Sequence, residues 1–272
     1  MIHLLQWLVG VLYAVAGSHY IYTFRQAQEQ AGRGLNPFAL VAVIAHLGYL
    51  LLLSLTLGHL PVTSVFEALT TCAWLFGVVY LSLEWRLRER SLGMFIQPVI
   101  LILHVLSNLG IDLNRELPAL LLHEIVYEIH VIVLLFAYSA FAISFIASVL
   151  YLLLSRELQK KSTGLFYRRL PSLAFFESLS NRAINTGLVF LTVGIALGIY
   201  EATKIAEHFF TWDAKFFAVG LTWLIYFWHW ASRISVGWQG RRAAMVSLFG
   251  FGWLMFSFLI VSLAFTQVHS FR

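Results

Sequence analysis

An all-α, polytopic membrane helix bundle is the fold class this chain predicts, and three observations carry it. Of 272 residues, 60% are hydrophobic and only 11% charged, against roughly 45–50% apolar in ordinary soluble domains. The mean hydropathy is +0.81. The apolar residues gather in runs of the length that a membrane-crossing helix needs, about 20 residues, and the runs are continuous, without the alternation of a β-barrel strand. A soluble globular enzyme is excluded, and any chemistry belongs in or beside the bilayer.

Taken in order, the runs fall at residues 2–24, 37–57, 65–84, 93–111, 125–155, 183–205, 215–233 and 243–266, each bounded by charged or Gly- and Pro-containing stretches. That predicts eight transmembrane helices in a single domain, 1–272, with no internal repeat, low-complexity stretch or boundary. The first run contains Ala14-Val15-Ala16, which looks like a signal-peptidase site, but no Lys or Arg precedes it and the run continues to Phe24, so it reads as a retained helix. The third holds the single cysteine, Cys72, which excludes an internal disulfide, a CxxC pair and a multi-cysteine metal site and suits core packing. The fifth is long enough to project beyond the bilayer. The stretch after it, Arg156 to Arg182, is the largest hydrophilic piece: basic, partly interfacial, and either a docking surface or a solvated loop that enforces topology.

Charge fixes the expected orientation. The 18 Lys and Arg against 13 Asp and Glu leave +5, which in a soluble protein would suggest nucleic acid but in a polytopic one reports loop bias. With both termini outside, the inner connections collect Arg25, Arg33, Arg86, Arg88, Arg90, Arg156, Lys160, Lys161, Arg168, Arg169, Arg182, Arg233, Arg241 and Arg242, or 14 of the 18 basic residues. Only Arg115, Lys204, Lys215 and Arg272 remain outside. Basic residues concentrate on the cytoplasmic side of membrane proteins, and nucleic-acid binding drops out.

Ten histidines are the candidate chemistry, because ionisable groups at membrane depth are costly and mark cavities, cofactors or proton paths. His3, His59, His123, His130, His208 and His269 lie at or beyond the expected outer helix ends; His46 and His104 lie well inside spans; His19 and His229 approach the inner side. His123 and His130 are seven residues apart and so share one face of the fifth helix. Imidazole ligates haem iron, and a bis-histidine site can be built from one His on each of two helices. For any single His, a hydrogen-bonded structural role or a proton relay fits equally well. Among the aromatics, 9 Trp, 11 Tyr and 23 Phe, most suit interfacial belts and helix packing. Phe209-Phe210-Thr211-Trp212-Asp213 differs, since it sets flat apolar surfaces and a carboxylate beside His208, where a porphyrin could stack.

Four segments carry a resemblance. Glu128 to Phe141 contains His130; Leu221 to His229 is followed by Gly237-Trp238-Gln239-Gly240-Arg241-Arg242-Ala243; Val268-His269-Ser270-Phe271 ends the chain; and Gly58 to Leu69 reads Gly-His-Leu-Pro-Val-Thr-Ser-Val-Phe-Glu-Ala-Leu. In this order they resemble the cytochrome c assembly family, which includes CcsA, CcmC and HemX-like proteins, over the chain from about His46 to its end. The resemblance implies that His130 and His269 are axial ligands of an outer haem and that His229 belongs to a haem site within the membrane. The second inner ligand, supplied by a partner protein in CcsA systems, would here be His46 or, less well, His19. It also implies non-covalent b-type haem, other cytochrome c assembly proteins or apocytochrome c as partners, and a multi-pass protein of the bacterial cytoplasmic membrane.

The family's tryptophan-rich signature, several Trp before Trp-Asp-Pro-Lys-Glu, is reduced here to Phe210, Trp212, Asp213, Ala214, Lys215 and Phe216. That points to the shorter HemX-like branch. Haem binding and relay without independent catalysis is therefore the leading expectation. A regulator or assembly scaffold acting on haem-synthesis enzyme levels is the second, and a proton-coupled transporter or di-haem electron-transfer protein using His46 and His104 the third. Broken-helix pairs and inverted repeats, marks of many transporters, are not evident. Nor are GxxxxGK[ST], GxGxxG or HExxH.

Overall fold

The computed structural model describes residues 2–26, 34–113, 125–161, 164–205 and 214–258. Nine helices occur among them: α1 (Ile2–Gln26), α2 (Pro37–Leu57), α3 (Val65–Leu87), α4 (Gly93–Ser107), α5 (Ile125–Gln159), α6 (Leu165–Arg169), α7 (Leu173–Ile205), α8 (Ala214–Ser235) and α9 (Arg241–Phe256). No strand occurs among the described residues. Five of the helices, α1, α2, α3, α5 and α7, are long and apolar enough to cross a membrane. The chain is an all-helical, polytopic membrane protein. It divides into two compact units, residues 1–116 and 117–272.

In the first unit α1 packs on α2 and α4, and α3 packs on α4 and α2. Its core is aromatic: Tyr13, Tyr20, Phe24, Tyr49, Phe76 and Tyr80 are fully buried. The α2–α3 connection is set by local chemistry. Gly58 ends α2 in the left-handed region, φ 76°, a conformation that costs glycine least. Ser64 then caps α3, accepting from the Glu67 N–H at 3.2 Å, while the Glu67 carboxylate accepts from the Thr63 N–H at 3.0 Å and the Ser64 hydroxyl at 2.8 Å. This resembles a capping box, with the carboxylate reaching the N–H one residue before the cap, so part of the Gly58 to Leu69 resemblance segment is turn geometry.

In the second unit α5 packs along α7 and α9, and α8 along α9 and α7. Two features of small residues bring the helices close, as membrane helices require. Ser144 on α5 bonds Ser180 on α7 at 2.9 Å and Ser247 on α9 at 2.8 Å, and Ser148 bonds Ser180 at 3.0 Å. Along α7, a Cβ at Gly187, Gly194 or Gly198 would run into Phe141, Leu134 and His130 of α5 respectively. Phe141 in turn stacks on Tyr226 of α8, with centroids 3.7 Å apart.

All eight expected runs coincide with helices, with three differences. The helix α7 begins at Leu173, not 183, because its charged first turns are satisfied: Glu177 pairs with Arg233 at 3.2 Å and Ser180 joins the serine cluster. The hydrophilic stretch after α5 is therefore shorter than expected and contains the one-and-a-half-turn helix α6. The helix α4 stops at Ser107 rather than 111, where residues 108–110 turn and Gly110 lies against the Phe66 ring. The last run is described as helical to Phe256, and the rest of it, to residue 266, lies outside the described residues.

Candidate functional site

The histidines fall into distinct environments. In the first unit, His46 and His104 are fully buried, with ring centroids 4.8 Å apart. His46 Nδ1 lies 2.9 Å from the Tyr13 hydroxyl and Nε2 lies 2.9 Å from Thr70 Oγ1. His104 Nδ1 lies 3.2 Å from the same Thr70 hydroxyl, and its Nε2 donates to the Gln6 carbonyl at 2.9 Å. Four helices are joined by this chain of bonds, and every ring nitrogen in it has a partner. Ligation of a metal by His46 would require giving up Tyr13 or Thr70.

A second polar cluster closes another part of the first unit. Glu84 is buried and accepts from the Tyr20 hydroxyl and from the Asn36 N–H at 2.6 Å. Arg90 pairs with it at 3.5 Å and donates to the Gly34 carbonyl. The Asn36 side-chain nitrogen donates to His19 Nδ1 at 3.0 Å. His59, beside the capping box, lies 3.9 Å from the Glu67 carboxylate and donates to the Leu60 carbonyl at 2.8 Å.

His130 has a different arrangement. It stands in the second turn of α5, half-buried, with Nδ1 2.6 Å from the Gly194 carbonyl oxygen of α7. A carbonyl only accepts, so Nδ1 carries the proton and the lone pair of the neutral ring lies on Nε2. Metal-ligating histidines have this arrangement, with the second nitrogen donating to a carbonyl or carboxylate that fixes tautomer and ring orientation. Gly198 completes the seat, since a Cβ there would stand 2.6 Å from the ring.

His229, on α8, is 1% exposed, and neither ring nitrogen makes a hydrogen bond of ordinary geometry. Its one polar contact is with the Ala243 backbone, which makes His229 the least satisfied of the buried histidines among the described residues. It lines a cavity of about 10 Å³ with Ser148, Tyr151, Glu177, Asn181 and Arg233, about the room one buried water needs. Glu177 and Arg233 were not singled out by the sequence reading, although Arg233 follows His229 by four residues, the spacing that puts two side chains on one helix face.

The structure thus places His130 and His229 in the second unit and His46 in the first. The remaining expected site residues, His269, Trp212 and Asp213, lie outside the described residues, as do His123 and His208. Among the described residues no cluster of three or more His, Cys, Asp or Glu side chains could hold a metal ion by itself.

Known proteins are similar to this chain over most of its length. The chain is 28% identical to a cytochrome c biogenesis protein CcsA of Chlamydomonas reinhardtii over 251 residues, 87% of this chain and 69% of the relative. It is 27% identical to the CcsA protein of Chlorella vulgaris, over 79% of this chain and 78% of that one, and 25% identical to that of Porphyra purpurea, over 88% of each. The sequence model described as Cytochrome C assembly protein matches residues 6–269, thereby spanning both compact units and every histidine discussed except His3. By that match the chain belongs to the cytochrome c assembly protein family.

Proposed function

We propose that this chain is an integral membrane protein that holds haem non-covalently, as a b-type centre, and hands it on during cytochrome c assembly, in the bacterial cytoplasmic membrane. The observation that carries the reading is the 2.6 Å bond from His130 to the Gly194 carbonyl, which fixes the tautomer and orientation an axial ligand needs. His269 is the proposed second ligand of this outer site, with Trp212 as a stacking surface and Asp213 as the carboxylate beside it. His229 is the proposed ligand of an inner site. Its second ligand comes from a partner protein, because His46 is already held at both nitrogens by Tyr13 and Thr70.

Haem, when bound, supplies the iron whose axial positions are filled by imidazole. The chain's own residues hold and orient the rings, exclude water and neutralise carboxylates. The receiving partners are apocytochrome c or further assembly proteins. Membership of the assembly family favours this reading over the regulator and the transporter.

An absorption spectrum of the detergent-purified protein, oxidised and dithionite-reduced, tests it. A Soret band with sharp reduced bands, weakened in a His130→Ala, His269→Ala variant, is expected. A flat visible spectrum from haem-replete cells would refute the reading.

A further inference from the structure

Beyond the end of α5, the short helix α6 packs back against it. Just past α5, Lys161 holds a left-handed φ of 51°, a conformation that favours glycine or asparagine, and its N–H donates to the Leu158 carbonyl at 3.0 Å. Glu157 ties α6 down, its carboxylate accepting from the Tyr167 N–H at 2.8 Å. Gly164 permits the close approach, since a Cβ there would run into the same carboxylate. Residues 156–169 hold five basic side chains, Arg156, Lys160, Lys161, Arg168 and Arg169, against Glu157 alone, a net charge of +4. The one carboxylate is turned onto α6, while Arg156, Lys160, Lys161 and Arg168 are exposed. Leu165 and Tyr167 are exposed among them.

We propose that this basic turn is a binding surface for anionic lipid headgroups, at the membrane face where α5 ends and α7 begins. Three features favour a bilayer over a soluble partner. Both α5 and α7 are long and apolar enough to cross a membrane, and only residues 160–172 separate them, which keeps the turn beside the lipid. An exposed tyrosine and leucine among cations is the mixture that sits at the headgroup boundary, where long basic side chains lay their stems on apolar surface and place the charge among phosphates. With Glu157 committed to the Tyr167 N–H, no other carboxylate between Arg156 and Ser172 opposes a phosphate. A cation is kept at Lys161 although glycine would hold that backbone conformation at less cost. Attachment here fixes one end of α5 at the headgroups, so that any mismatch between helix and bilayer is passed to its other end, where His130 stands.

The test uses the full chain in a Cys72→Ser background, with Gln159→Cys carrying an NBD fluorophore, reconstituted in phosphatidylcholine nanodiscs with and without phosphatidylglycerol. Quenching of NBD by lipids bearing a headgroup nitroxide reports contact between the turn and the bilayer surface. Phosphatidylglycerol is expected to increase the quenching at low ionic strength, and added salt to reverse the increase. Each basic residue near an anionic surface changes affinity about fivefold. Lys160→Gln, Lys161→Gln and Arg168→Gln together should therefore abolish the response, and the charge-conserving pair Lys160→Arg, Lys161→Arg should keep it. Equal quenching with and without phosphatidylglycerol overturns the proposal, leaving the turn to an acidic protein or to topology alone. A response unchanged in the triple glutamine variant also overturns it. So does a response to inorganic phosphate in pure phosphatidylcholine nanodiscs that matches the response to phosphatidylglycerol, which would assign the surface to a free anion.

Discussion

His130 and Gly194 are 64 residues apart in sequence and joined by a 2.6 Å hydrogen bond between α5 and α7. α7 comes this close because it carries glycine at three places where α5 sets a bulky side chain against it: Gly187 at Phe141, Gly194 at Leu134 and Gly198 at His130. The His130 ring, the proposed iron ligand, is thus positioned by a packing feature of the neighbouring helix.

Gly198→Ala should displace the His130 ring, because the new Cβ would lie 2.6 Å from Cε1. Overpacking of this kind costs about 1–3 kcal/mol. The expected result is a protein that elutes normally on size exclusion and loses outer-site Soret absorbance to nearly the extent of His130→Ala. Full retention of that absorbance would separate the glycine stripe from the site.

His46→Leu should act on stability and leave haem content alone. It strips the Tyr13 hydroxyl of its partner in a fully buried network, while Thr70 keeps its bond to His104, a loss of about 1–3 kcal/mol for the polar group left unpaired. Thermal unfolding in detergent, followed by fluorescence, should shift downward. A fall in haem per protein at unchanged unfolding temperature would instead make His46 a ligand.

Glu84→Ala should be more damaging than any single change on the lipid-facing surface. It removes the acceptor for Tyr20, for the Asn36 N–H and for Arg90 together, at about 1.5–3 kcal/mol for each charged bond. Loss of folded protein from the membrane fraction is expected, with Glu84→Gln partly restoring it, since the amide oxygen still accepts.

The orientation can be read from single cysteines placed in a Cys72→Ser background. With both termini outside, a cysteine at Arg88 should be shielded from a membrane-impermeant thiol reagent in intact cells, and one at Thr63 labelled. The reverse pattern would invert the assignment of inner and outer sites.

Much of the fold was legible in hydropathy alone, because spans of this length leave few other solutions. The start of α7 was not, since Glu177 and Arg182 look like loop residues until Arg233, 56 residues on, satisfies the first of them. The candidate sites were legible only as isolated imidazoles. The sequence sets His46 and His104 well inside spans and His229 towards the inner side, but not which of them is satisfied; Tyr13, Thr70 and Gln6 converge on the first two from other helices. No spacing rule announces such partners. His130 stood out by resemblance, yet Gly194, which positions it, belongs to a helix that the sequence presents as ordinary apolar filling.

At 35 residues, α5 is about 52 Å long at 1.5 Å per residue, well beyond a hydrocarbon layer of about 30 Å. Such a helix must tilt, thicken the lipid around it or stand out into the headgroups. Because His130 lies in its second turn, the acyl-chain length of the host membrane determines whether that imidazole faces water or hydrocarbon. Reconstitution in thin and thick bilayers should therefore move the outer site along a polarity gradient without altering a single residue.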